Sequence, residues 1–60
     1  MNTIQRLELA EQLAAEHGIW QEFARIYTNY RTTYNVRDSI EKTLRDMNLE
    51  EEYLKRLSES

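Results

Sequence analysis

Acidic pairs such as Glu8 and Glu11, the run Glu50 to Glu52, and the single histidine His17 are the residues whose types could support chemistry. Two carboxylates with separated pKa values can act as general acid and base, but that requires a cleft that excludes water. Sixty residues leave little room for such a cleft, and carboxylate pairs on a helix face are ordinary solvated surface. A transition-metal site would need donors beside His17, and the chain has no cysteine to supply one. The histidine reads better as the residue that ends a helix, where its charge suits the negative end of the dipole. Nucleophilic catalysis needs a hydroxyl or thiol beside a base, and no serine lies near His17 in sequence. Ser39, Ser58 and Ser60 read as helix-turn and tail residues. Phosphate loops need several glycines, and Gly18 stands alone. The expectation is a protein that is not an enzyme and takes no metal or cofactor.

Binding is better provided for. Ile19, Trp20, Phe23, Ile26, Tyr27 and Tyr30 recur at the spacing that puts side chains on one face of a helix. Trp20, Arg25, Tyr27, Tyr30, Arg31, Tyr34 and Arg37 bring together the residue types that dominate the energetic centres of protein interfaces. Aromatic stripes also build cores, and Trp20, Phe23 and Ile26 read chiefly as core. Tyr30 and Tyr34 differ, because their hydroxyls want water or a partner and they flank a helix joint. A protein partner is therefore expected at that joint. The run from Tyr27 to Arg37 also interleaves aromatics with arginine and amide side chains, which can stack bases and contact phosphates. Over residues 25–45 the charged residues are Arg25, Arg31, Arg37, Lys42 and Arg45 against Asp38 and Glu41, or 5 − 2 = +3. A helix-turn-helix-like nucleic-acid regulator is thus the alternative reading. Its weakness is that Asp38 and Glu41 open the would-be recognition helix, while the whole chain carries a net charge of −3.

These residues must be positioned by helices, since no strand pattern competes. Asn2 with Gln5 forms a capping-box pattern, and Ile4, Leu7, Ala10, Leu13 and Ala14 share one face of a helix over about 3–17. Gly18 can adopt the left-handed conformation that stops it, with Ile19 as the apolar residue of a Schellman ending. Helix two covers about 19–31. Asn35 caps a third helix over about 35–47, marked by Val36, Ile40, Leu44 and Met47. Near Asn48 a break is expected, followed by a short fourth helix over about 49–57 whose Glu50 to Glu52 and Lys55 to Arg56 suit its dipole. The sum is an all-α, small three-helix bundle with an optional fourth helix, one domain over residues 1–60 and no internal repeat.

Size sets the last bounds. A chain of 60 residues buries only about 60% of the surface its unfolded form exposes, so a homodimer that shared an apolar face would relieve a marginal core. Without cysteine there is no disulfide framework, and no apolar run suits export or a membrane span, which points to the cytoplasm and to no membrane partner. Finally, Leu13-Ala14-Ala15-Glu16-His17-Gly18-Ile19 with Glu22-Phe23 and Ile26-Tyr27 resembles the helical stretch preceding the catalytic part of some bacterial 4-α-glucanotransferases. The chain lacks the glycine that commonly follows the second aromatic there, and it lacks the catalytic barrel. What the resemblance implies is an accessory helical domain without activity.

Overall fold

Local signals at the helix ends determine most of the architecture. In the computed structural model, which describes residues 1–59, four helices follow one another: α1 (Thr3–Glu16), α2 (Trp20–Arg31), α3 (Val36–Asp46) and α4 (Glu50–Glu59). Asn2 caps α1 through the full box. Its Oδ1 accepts the Gln5 amide at 2.8 Å, and Gln5 Oε1 accepts the Asn2 amide at 3.0 Å. Asn35 caps α3 in one direction only, its Oδ1 accepting the Asp38 amide at 2.8 Å. Each of these satisfies an N–H that the helix geometry leaves without an internal partner.

The two corners α1–α2 and α3–α4 are built alike. Gly18 has φ +71°, its amide donates to the Ala15 carbonyl, and the Ile19 amide donates to that of Ala14. Asn48 has φ +60°, its amide donates to Arg45, and the Leu49 amide donates to Leu44. Both are Schellman endings, with the left-handed position occupied by the residue types that tolerate it best. They lie 48 − 18 = 30 residues apart, and Ile19 with Phe23 matches Leu49 with Tyr53. Asn48 therefore ends α3, as expected, but it does not cap α4. The first helical bond of α4 runs from the Tyr53 amide to the Leu49 carbonyl.

The break near Asn48 and the fourth helix are both present, so the bundle has four helices rather than three. α1 and α3 form its centre. Each packs on all the other helices, and among the described residues the backbones of α2 and α4 stay more than 8 Å apart. Small side chains let the central pair approach closely: Ala10 and Ala14 on α1, Ser39 and Thr43 on α3, all fully buried. Around them close Leu13, Phe23, Ile40, Leu44, Leu49 and Tyr53. Ser39, read from its type as a helix-turn residue, is thus also part of the core. Burial is tolerated because its Oγ lies 3.4 Å from the Tyr34 carbonyl and the Thr43 hydroxyl donates to the Ser39 carbonyl at 2.7 Å. Ser60 lies outside the described residues.

Three apolar residues depart from expectation, the first being Ile26, which reads as core by its spacing but is only half-buried, outside the packed cluster and on the groove beside Tyr30. Ile4 shares the apolar face of α1 by its spacing but is 69% exposed. The packed arc of that helix centres on Ala10, Leu13 and Ala14, and Ile4 lies well round the helix from it. Trp20 is 47% exposed because it begins α2 beside the Gly18 corner, while Phe23, one turn further on, takes the buried position. Among the described residues no helix is long and apolar enough to cross a membrane.

Candidate functional site

The joint between α2 and α3 is held by hydrogen bonds from both sides. The Thr33 and Tyr34 amides return to the Tyr30 carbonyl at 3.0 and 2.8 Å, and the Thr32 hydroxyl donates to the Asn29 carbonyl at 2.7 Å. Arg31 Nη1 donates to the Tyr34 carbonyl at 2.6 Å, on the same oxygen that the Ser39 hydroxyl approaches. A turn stitched in this way holds Tyr34 at a fixed place next to Tyr30.

The two rings meet at 6.0 Å between centroids, tilted by 55°, a favourable edge-inclined arrangement. The Tyr30 hydroxyl donates to Asp46 Oδ2 at 2.5 Å, reaching from the end of α2 to the end of α3. That hydrogen bond to a carboxylate, with some burial, raises the phenol above its ordinary pKa and keeps it a donor. Lys42 Nζ stands 4.6 Å from the centroid of the Tyr34 ring, a cation–π contact from α3. Tyr34 nevertheless stays 39% exposed. On one side of the pair, Arg25, Asn29, Thr32 and Asp46 line a shallow open groove with Tyr30. On the other, Asp38, Glu41, Lys42 and Arg45 line a second one with Tyr34.

Of the residues expected at the contact surface, Arg25, Tyr30, Arg31 and Tyr34 are brought together here. Tyr27 is half-buried and stacks on Phe23 at 5.6 Å with the rings within 8° of parallel, so it belongs to the edge of the core. Trp20 sits at the opposite end of α2, ten residues or about 15 Å of helix from Tyr30. Arg37, exposed in the first turn of α3, takes no part in the hydrogen bonds, ring contact or cation–π contact of Tyr30 and Tyr34. Asp46 is the participant that sequence reasoning missed, and Lys42 was read only as part of the basic 25–45 segment and not as a partner of Tyr34. Their signal was their position on α3, one and two turns from Asp38, which becomes meaningful only once α3 is known to pack on α2.

A second polar cluster ties α4 to the end of α1. Arg56 donates to both Glu16 oxygens, at 3.0 and 2.6 Å, and to Glu52 at 3.1 Å, while His17 Nε2 meets Glu52 Oε1 at 3.1 Å. The Arg56 hydrogen bonds hold the Glu16 carboxyl below its ordinary pKa. His17 is the C-cap of α1, the role expected from its place before Gly18. Among the described residues no group of three His, Asp or Glu side chains is placed to hold a metal ion.

The chain matches no protein-family model, no curated protein and no solved structure.

Proposed function

We infer that the protein is a non-catalytic helical interaction module, an adaptor or regulator that binds another protein through the α2–α3 joint. The observation that carries this reading is Tyr34, exposed yet held between the Tyr30 ring and the Lys42 ammonium. A rigid, amphipathic ring presented on a stitched turn loses little conformational freedom on binding, which is the property shared by aromatic anchors at interfaces. The second reading, a nucleic-acid regulator, has less support. Asp38 and Glu41 line the same groove as Lys42 and Arg45, and a phosphate backbone laid there would meet both carboxylates.

The test uses a photoreactive amino acid at position 33, in the joint, to crosslink the partner in cells. The recovered protein is then purified and titrated against the wild-type chain and Tyr34→Ala. At least about tenfold weaker binding with unchanged helicity supports the reading. Equal affinity for both overturns it.

A further inference from the structure

The hairpins α1–α2 and α3–α4 share one plan that extends beyond their matching corners. At the offset of those corners, buried Ala10, Leu13, Ala14 and Phe23 fall on buried Ile40, Thr43, Leu44 and Tyr53. Only Thr3, Glu11 and Glu22 recur identically, so the likeness lies in the pattern of burial and not in a repeat of residue types. The packing recurs as well. α2 of the first half lies on α3 of the second, α4 of the second lies on α1 of the first, and α1 meets α3 between them. The polar ties between the halves follow the same rule. Asp46, the last residue of α3, accepts from Tyr30 on α2, and Glu16, the last residue of α1, accepts from Arg56 on α4. Exchanging the halves maps this arrangement onto itself in outline, which is the property of an isologous interface.

The joint that connects the halves differs from both corners. Among the described residues positive φ occurs only at Gly18 and Asn48, so no left-handed residue turns the chain between α2 and α3. Thr32 keeps right-handed helical angles, and the Tyr34 amide keeps the helical bond to the Tyr30 carbonyl. The break centres on Asn35, whose ψ of 175° is extended and whose side chain takes the Asp38 amide. No glycine or proline lies in the joint. Rotation of Asn35 and its neighbour Tyr34 into the helical region would run α2 into α3 as one helix over residues 20–46, about 40 Å long. Main-chain helical bonds would then replace the cap and turn bonds that are given up.

From the self-complementary halves and the straightenable joint, we propose that the chain pairs with a second copy by exchanging hairpins. In that dimer α2 and α3 form one helix, and α1–α2 of each copy packs on α3–α4 of the other through the contacts that the halves make within one closed chain. No exposed apolar face is needed. The turn bonds around Tyr34 favour the closed chain, and the covalent link between the halves favours it further when protein is dilute. Exchange must break the contacts between hairpins before remaking them, so the two forms interconvert slowly. The turn that holds Tyr34 exists only in the closed chain. The exchange itself does not rest on what binds there.

The experiment refolds the full chain from urea at low and high protein concentration and follows its mass by light scattering, beside Asn35→Ala and Val36→Pro. Alanine at position 35 removes the cap and favours a continuous helix. Proline at position 36 suits the first residue of α3, holds Asn35 extended and blocks straightening. The expected result is a slowly exchanging wild-type dimer that grows with concentration, a dimer at least about fivefold tighter for Asn35→Ala, and a monomer throughout for Val36→Pro. Amide shifts that separate dimer from monomer should centre on residues 32–37. In dimer refolded from mixed labelled and unlabelled chains, the Tyr30 ring of one copy should contact Asp46 of the other. Thr33→Ala, at an exposed position, raises helix propensity with the cap intact and takes the place of Asn35→Ala if that variant does not fold. If wild type and every folded variant stay monomeric at high concentration, the proposal fails. A dimer that survives Val36→Pro, or that shows no contact from Tyr30 to Asp46 between copies, assigns association to an outer surface and overturns the exchange.

Discussion

The hydroxyl of Tyr30 and the carboxylate of Asp46 join the last turn of α2 to the last turn of α3 at 2.5 Å. Because α2 and α3 are connected by the short turn at 32–35, this bond closes a loop around Tyr34 and limits how far the two helices can splay. Tyr30→Phe keeps the ring contact with Tyr34 and removes only the donor. The variant should unfold at slightly lower urea with the same slope, and amide exchange at residues 32–35 should become faster.

The same bond has an alkaline signature. The phenol of Tyr30 is raised above its ordinary pKa of 10.0 by Asp46, so the stability it contributes is fully present below pH 10.0 and is lost as pH rises through the raised value. Wild-type stability should therefore fall more steeply than that of Tyr30→Phe in that window. Urea midpoints taken on both sides of pH 10.0 check this, and parallel curves for the two proteins would remove Tyr30 as the cause.

At the corners, the left-handed positions should respond in opposite directions to substitution. Gly18→Ala forces an L-residue into φ +71°, although the space around the new Cβ is open, so the cost is conformational and about 1 kcal/mol. Asn48→Gly relieves a similar conformation at φ +60°, and a gain of about 0.5 kcal/mol is expected after the entropy that glycine adds to the unfolded chain. Chemical denaturation of the two variants beside wild type measures both. A stabilising Gly18→Ala would contradict the Schellman account of the first corner.

What the sequence made legible was local. Asn2, Asn35 and Gly18 act on amides or carbonyls within a few residues, so their roles follow from spacing, and the apolar stripe around Phe23 follows from periodicity. The exposure of Ile4 and Trp20 was not legible, because it depends on which arc of α1 meets its neighbours and on how α2 leaves the corner. The site divides in the same way. Tyr30 and Tyr34 are four residues apart and were readable as a pair, whereas Lys42, Asp46 and the link from His17 to Glu52 exist only through packing between helices. Tyr53 escaped altogether, since α4 offers a narrow stripe whose meaning depends on α1 and α3.

On the acid side, the cluster that fastens α4 should weaken in a definite order. Arg56 holds the Glu16 carboxyl below its ordinary 4.5, so this contribution is present above pH 4.5 and is lost as pH falls through the lowered value. Glu16→Gln should flatten that part of the acid limb, and exchange of the α4 amides in the wild type should accelerate before those of α3. An acid limb unchanged by Glu16→Gln would show that the Arg56 contact is not maintained in solution.

Tyr53 gives the sharpest separation between ring and hydroxyl. Its side chain is fully buried, the largest in the core, yet its oxygen has no hydrogen-bond partner. Arg6 acts on it electrostatically without making a hydrogen bond of good geometry, and burial is the main cause that raises the phenol above its ordinary pKa. An unpaired buried hydroxyl costs stability, so Tyr53→Phe should be neutral or stabilising by up to about 1 kcal/mol. Tyr53→Ala removes the ring that joins α4 to α1 and α3 and should cost about 3–5 kcal/mol, enough to leave a chain of this size largely unfolded. Thermal and urea unfolding of both variants decide the matter. A Tyr53→Phe variant destabilised by more than about 1 kcal/mol would mean that the hydroxyl is paired in solution, with Arg6 or Glu41 the groups to substitute next.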